Sequence, residues 1–157
     1  MDIVREKEWI EKSQTKKNKE VKNIYGVQDP NSDPRVDEIT WRHCIKLPSG
    51  QVTKGTKDTA RDLVEFSFSE DFFRDKTVAD VGACDGFFSF HAEEQGAKEV
   101  LSIDPYRWTL DDRWSGMKGF NLARELLESN VKDSTEHLEV LSPETTGSWD
   151  VTLFLGV

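Results

Sequence analysis

The stretch Thr77-Val78-Ala79-Asp80-Val81-Gly82-Ala83-Cys84-Asp85-Gly86 constrains the fold more than any other part of the chain. It is an apolar run of strand character with an acid inside it, followed by a turn of small residues that closes on glycine. Phe87 to Gln95 then reads as a short helix, Gly96 as its stop, and Glu99 to Ile103 as a second strand with Asp104 at its tip. The pattern is a β-α-β unit with a nucleotide-type loop. A strand that feeds a tight turn and then a helix N-terminus leaves N–H groups beside a backbone bare enough for a ligand to approach; Gly82 and Gly86 supply that bareness. Asp104, 22 residues after Gly82, is placed to accept hydrogen bonds from a ribose diol. The purely structural reading of the same residues is a core strand and an ordinary turn, with Asp104 capping the next loop and Asp80 accepting from the turn's N–H groups.

Spacing separates the cofactor classes that use such a unit. A dinucleotide loop asks for G-x-G-x-x-G, and those positions hold Gly82, Cys84 and Phe87, which counts against a dehydrogenase. Asp80-x-Gly82-x-Cys84-x-Gly86 instead resembles the acid-x-G-x-G-x-G loop of class I, Rossmann-like methyltransferases that use S-adenosylmethionine, with cysteine at the middle glycine. The lead-in Trp41-x-His43-x-Ile45-x-Leu47-Pro48-x-Gly50-x-Val52-Thr53-x-Gly55 is similar to that of the group related to tRNA wobble-uridine carboxymethoxy-forming methyltransferases. So are Phe120-x-Leu122-Ala123-x-Glu125-x-Leu127-x-Ser129-x-Val131 and Trp149 to Val157, so the likeness runs from Trp41 to the end of the sequence.

That resemblance implies S-adenosylmethionine as cofactor and S-adenosylhomocysteine as product. It implies a cofactor site of Asp80, Gly82, Ala83, Cys84, Gly86, Phe88, Asp104, Pro105, Ser142 and Gly156. Trp41 and His43 are substrate candidates from the lead-in, the alternative being a structural hairpin packed on the domain. Tyr106 is placed either to pack on an adenine edge or on its own loop. The resemblance names neither the methyl acceptor nor a catalytic base.

Composition bounds the remaining classes. Among 157 residues, 32% are charged and 36% hydrophobic, as in an ordinary soluble globule. Asp2, Arg5, Glu6, Lys7 and Glu8 occupy the place of a signal peptide's apolar region, and no stretch is apolar enough for a membrane span, so a cytoplasmic protein without membrane partners is expected. Cys44 and Cys84 have no C-x-x-C spacing and His43, His91 and His137 are scattered, so reduced thiols and no metal are expected. The net charge of −9 counts against a nucleic-acid partner, because phosphate binding needs a basic face. Lys16-Lys17-x-Lys19-x-x-Lys22 reads as a solvated helix face.

Residues 1–36 read as an appendage: an amphipathic helix over 2–22 and a turn-rich linker through Asp29-Pro30-Asn31-Ser32-Asp33-Pro34, ahead of a partial methyltransferase domain at 37–157. A small hairpin is expected over Trp41–Thr53, turning at Ser49-Gly50, and then a helix capped by Asp58 with Ala60, Leu63, Val64 and Phe66 or Phe68 facing the sheet. The fold class is α/β: a Rossmann-like three-layer arrangement with strands at 77–81, 99–103, 138–141 and 150–156 in the parallel order 3-2-1-4, and helices at 87–95 and 118–129. His91 falls on the first of these helices, and His137 just before the third strand.

The class has seven strands, and this sequence reaches Val157 on the fourth, so a truncated domain is expected. Its Leu153-Phe154-Leu155 edge then favours self-association through strand 150–156 into a homo-oligomer. A strictly monomeric mass at micromolar concentration would contradict that. The alternative to an active enzyme is a non-catalytic remnant that binds the cofactor or its product and associates through this edge.

Overall fold

The computed structural model of the protein describes residues 31–110 and 115–155. The chain divides into two units, 1–32 and 33–157. The helix expected over 2–22, with its lysine run, lies outside the described residues.

Four strands build the second unit: β1 (Thr77–Val81), β2 (Glu99–Ile103), β3 (Lys132–Ser134) and β4 (Val151–Phe154). All pairings are parallel and the order is β3-β2-β1-β4, the expected 3-2-1-4 of an α/β Rossmann-like sheet. A central parallel strand is covered on both faces, and β1 reads accordingly, with Val78, Ala79, Asp80 and Val81 all buried.

On one face Val78, Val100 and Leu153 join the main core with α2 (Phe87–Glu94) and α4 (Lys118–Leu126). On the other face Ala79, Val81, Leu101 and Ile103 meet Leu141 and Trp149. Leu141 lies between a 3₁₀ turn, Leu138–Val140, and the one-turn helix α5 (Pro143–Thr146), and Trp149 follows that helix. A short helix α3 (Pro105–Thr109) follows β2 directly. Among the described residues no helix is long and apolar enough to cross a membrane.

The third strand is a correction. It lies at Lys132–Ser134, and the run expected as a strand at 138–141 is the 3₁₀ turn, so His137 precedes a turn rather than a strand. The cause is position at the sheet edge, where Lys132 and Asp133 stay exposed and no apolar alternation is needed. Their charges are paired laterally, Lys132 with Glu99 at 2.7 Å and Asp133 with Arg124. Boundaries also tighten. α4 stops at Leu126 rather than at 129 because Glu128 takes a left-handed conformation (φ 52°). β4 begins at Val151 because Asp150 accepts from the Thr77 N–H at 2.8 Å and its hydroxyl at 2.9 Å, aligning the starts of β1 and β4.

The lead-in forms the expected hairpin in reduced form, a single antiparallel bridge between Lys46 and Val52 around Gly50 (φ 85°). The Thr53 hydroxyl completes it, donating to the His43 carbonyl at 2.7 Å and accepting from the Ile45 N–H at 2.8 Å. Asp58 caps α1 (Thr59–Phe66), accepting from Arg61 N at 3.1 Å. The apolar face expected on α1 is only partly present. Leu63 and Phe68 pack against the core, but Ala60 is exposed and Val64 is 75% exposed. Phe66 leans edge-on to Phe88 at 5.6 Å, so aromatic contacts beyond the helix take over the anchoring.

Candidate cofactor site at the tips of β1 and β2

The loop leaving β1 alternates in handedness. Gly82, Cys84 and Gly86 have φ of 79°, 54° and 84°, with Ala83 and Asp85 between them. Only glycine adopts that region freely, so Cys84 holds a strained conformation at the position where the resembled loop has glycine. Gly86 is needed twice over. Besides its φ, a Cβ there would lie 2.6 Å from the Phe120 ring and 2.7 Å from that of Phe90. The N–H of Gly82 bonds the Ile103 carbonyl at 2.7 Å, carrying the β1–β2 ladder into the loop. Gly86 is the N-cap of α2 and offers no side-chain cap, so the loop presents backbone alone at that helix end.

Strand β2 returns to hold this loop. Asp104 is buried and N-caps α3, its Oδ1 accepting from Arg107 N at 2.8 Å. Its Oδ2 accepts from Cys84 N at 2.9 Å, and the indole N–H of Trp108 donates to the Cys84 carbonyl at 2.6 Å. Both backbone polar groups of the strained residue are therefore fixed by the five residues that follow β2. Trp108 carried no sign of this role in the sequence. The Cys84 thiol is itself inert: burial, reinforced by the charges of Asp85 and Asp104, pushes its pKa up to about 12.

Asp80 does not accept from the loop N–H groups of Gly82 to Gly86 as its structural reading expected. Its Oδ2 takes the hydroxyl of Ser89 on α2 at 2.6 Å, and Ser89 takes that of Ser102 on β2 at 2.6 Å, a buried polar chain joining two strands to the helix. Burial pushes its carboxyl up to about 6, against the opposing pull of the Ser89 bond and of His43, with Asp104 adding to the rise. Asp80 thus feels both His43 and Asp104 across the base of the loop.

The other expected site residues divide. Ala83 is buried in the loop, and Pro105 opens α3. Phe88 is buried in an aromatic cluster with Phe66, Phe87 and His43. Ser142 begins α5 in a capping box with Thr145, and it lines a cavity of about 280 Å³ beside Val81 and Ile103. Gly156 lies outside the described residues. A larger cavity of about 530 Å³, bounded by Glu99, Lys132 and Trp149, opens at the start of β2, away from the loop. Trp41 packs rather than presents: it is 2% exposed and donates its indole N–H to the Val36 carbonyl at 2.8 Å. Tyr106 is exposed, its ring against Arg107.

No protein-family model matches this chain, and no curated protein sequence matches it either. Solved structures do. Ribosomal protein L11 methylase from Lactobacillus delbrueckii subsp. bulgaricus is 21% identical over 61% of this chain and 45% of its own, with a TM-score of 0.46. A protein assigned as an S-adenosylmethionine dependent methyltransferase from Listeria monocytogenes is 29% identical over 54% of this chain and 36% of its own, at 0.39. One assigned as an RNA methyltransferase from Pyrococcus horikoshii is 19% identical over 85% and 54%, at 0.44. The chain spans about half of these structures or less, and the chemistry of the loop stands on its own geometry.

One residue the sequence reading passed over completes the site. Asp85 is buried, and its Oδ2 accepts the backbone N–H groups of Arg42 at 2.8 Å and His43 at 2.9 Å. Its Oδ1 accepts a hydrogen bond from Nδ1 of the His43 ring. This carboxylate fastens the lead-in segment to the loop. The only trace of it in the sequence is an acid flanked by Cys84 and Gly86, which any turn would tolerate.

Proposed function

We propose that this chain carries the cofactor half-site of an S-adenosylmethionine-dependent methyltransferase. The observation that supports it most is the loop, left-handed at Gly82, Cys84 and Gly86 and held through the Cys84 amide by the acid at the tip of β2. An alternating backbone of this kind leaves room for the amino-acid end of the ligand at Gly82–Gly86. A ribose diol would join the hydrogen-bond set of Asp104, and the cavity beside Val81, Ile103 and Ser142 is of a size for adenine. When bound, the cofactor supplies an electrophilic methyl group on its sulfonium. The protein's part is to hold and orient it and to keep water away. The acceptor's class stays open, with the charge of −9 disfavouring a nucleic-acid backbone.

Calorimetric titration of the full chain with S-adenosylhomocysteine, beside NADH, tests this. Binding of the first alone is expected. Asp104→Ala should weaken it by about tenfold or more, the worth of hydrogen bonds to a charged acceptor. That variant also orphans the amides of Cys84 and Arg107, so a melt should accompany it, and Asp104→Asn supplies a gentler second case. Unchanged affinity in folded variants, or binding of NADH instead, would overturn the assignment.

A further inference from the structure

Asp85 does more than fasten two segments together. Its two oxygens have separate duties: Oδ2 serves the two backbone amides, at 2.8 and 2.9 Å, and Oδ1 serves the imidazole. A carboxylate can only accept, so Nδ1 of His43 carries a hydrogen, and in the neutral ring Nε2 is then an acceptor. The ring is held against the face of Phe87 and edge-on to Phe88, with centroids at 5.8 Å in both cases. Its side chain is 8% exposed. Nε2 makes no hydrogen bond among the described residues. The ring is bonded to Asp85, next to Gly86 where the loop ends. Two further acids, Asp80 near the end of β1 and Asp104 just after β2, are buried close to the loop, 2% and 3% exposed.

We propose that His43 holds the amino-acid end of the cofactor by accepting a hydrogen bond at Nε2 from its α-ammonium group, with Asp85 as the positioning residue that fixes the tautomer. The inference rests on the cofactor site proposed above and assigns one of its polar contacts.

Asp85→Asn is the decisive variant because the structure dictates how the amide must sit. The two backbone donors require its oxygen at the Oδ2 place, so its NH₂ lands opposite Nδ1 and donates there. The ring hydrogen then moves to Nε2, which becomes a donor facing an ammonium. Three nucleosides read the outcome in titrations of the full chain: S-adenosylhomocysteine, its decarboxylated form, which keeps the amine, and 5′-methylthioadenosine, which lacks the amino-acid tail. Asp85→Asn should bind the first two about tenfold or more weaker than wild type and change the third by less than about twofold. Long-range ¹H–¹⁵N spectra should show the hydrogen moved from Nδ1 to Nε2. His43→Phe, which keeps the aromatic contact and removes the acceptor, should give the same ligand-selective loss and carries the test if the amide variant fails to fold.

Equal losses on all three ligands, or none, would mean that the pair is only structural and would overturn the proposal. A loss for S-adenosylhomocysteine without one for the decarboxylated ligand would also overturn it, since the ring would then serve the carboxylate. Wild-type protein that binds none of the three would sink the cofactor site itself, an outcome separable from the others.

Discussion

Gly55→Ala is expected to destabilise the protein by about 3 kcal/mol or more, at the upper end of overpacking effects, and to disturb the site with it. A Cβ at Gly55 would run into the backbone carbon and oxygen of His43 and come within 2.6 Å of Cys44 N. These are main-chain atoms with no rotamer to escape into. They belong to the segment that Asp85 grips through His43 N and that Thr53 grips through the His43 carbonyl. Pushing the strand aside therefore breaks hydrogen bonds at both ends. Gly50→Ala provides the contrast, since Gly50 has a φ of 85° but nothing within 4 Å of its missing Cβ. It should cost only the conformational strain of about 1–2 kcal/mol. Urea unfolding of the two variants separates the mechanisms; equal shifts would mean that the backbone crossing at Gly55 is looser than described.

The second large effect concerns Asp80. Its carboxyl sits at about 6 in the folded chain, against about 3.9 when unfolded. The folded state therefore binds more protons between about pH 4 and 6, and stability falls as pH rises through that window. Two units correspond to about 3 kcal/mol, lost by neutral pH. Asp80→Asn keeps an oxygen for the Ser89 hydroxyl and removes the charge. The stability difference between variant and wild type should therefore shift in the variant's favour by about 2 kcal/mol from pH 4 to pH 7. Chemical denaturation at both pH values measures it, and a difference independent of pH would show that the carboxylate is not desolvated as described.

Legibility in the sequence followed the range of the forces involved. β1, the glycine loop, α2 and β2 could be placed because each is marked locally: buried parallel strands are continuous apolar runs, and Gly82, Gly86 and Gly96 sit where the backbone turns left-handed. The sheet order followed from the alternation of strands and helices. β3 escaped because an exposed edge strand of Lys132, Asp133 and Ser134 has no hydrophobic period to read, while Leu138 to Leu141 imitated one. The loop's supports escaped for a different reason. Trp108 reaches the Cys84 carbonyl from 24 residues away, and Asp85 reaches His43 from 42, and no local pattern encodes such pairings. Asp104 could be placed at the tip of β2, but not its bond to the Cys84 amide.

The two margins of the sheet are chemically unlike. Beyond β2, the margin strand β3 wears Lys132 and Asp133, each engaged by a neighbouring charge, and an incoming strand would have to displace those pairs. Beyond β1, the margin strand β4 shows Thr152 and a Phe154 that is 56% exposed, with no ion pair among its described residues. The two margins therefore differ in charge: a strand laid beside β3 would meet Lys132 and Asp133, and one laid beside β4 would meet no charged side chain of that strand.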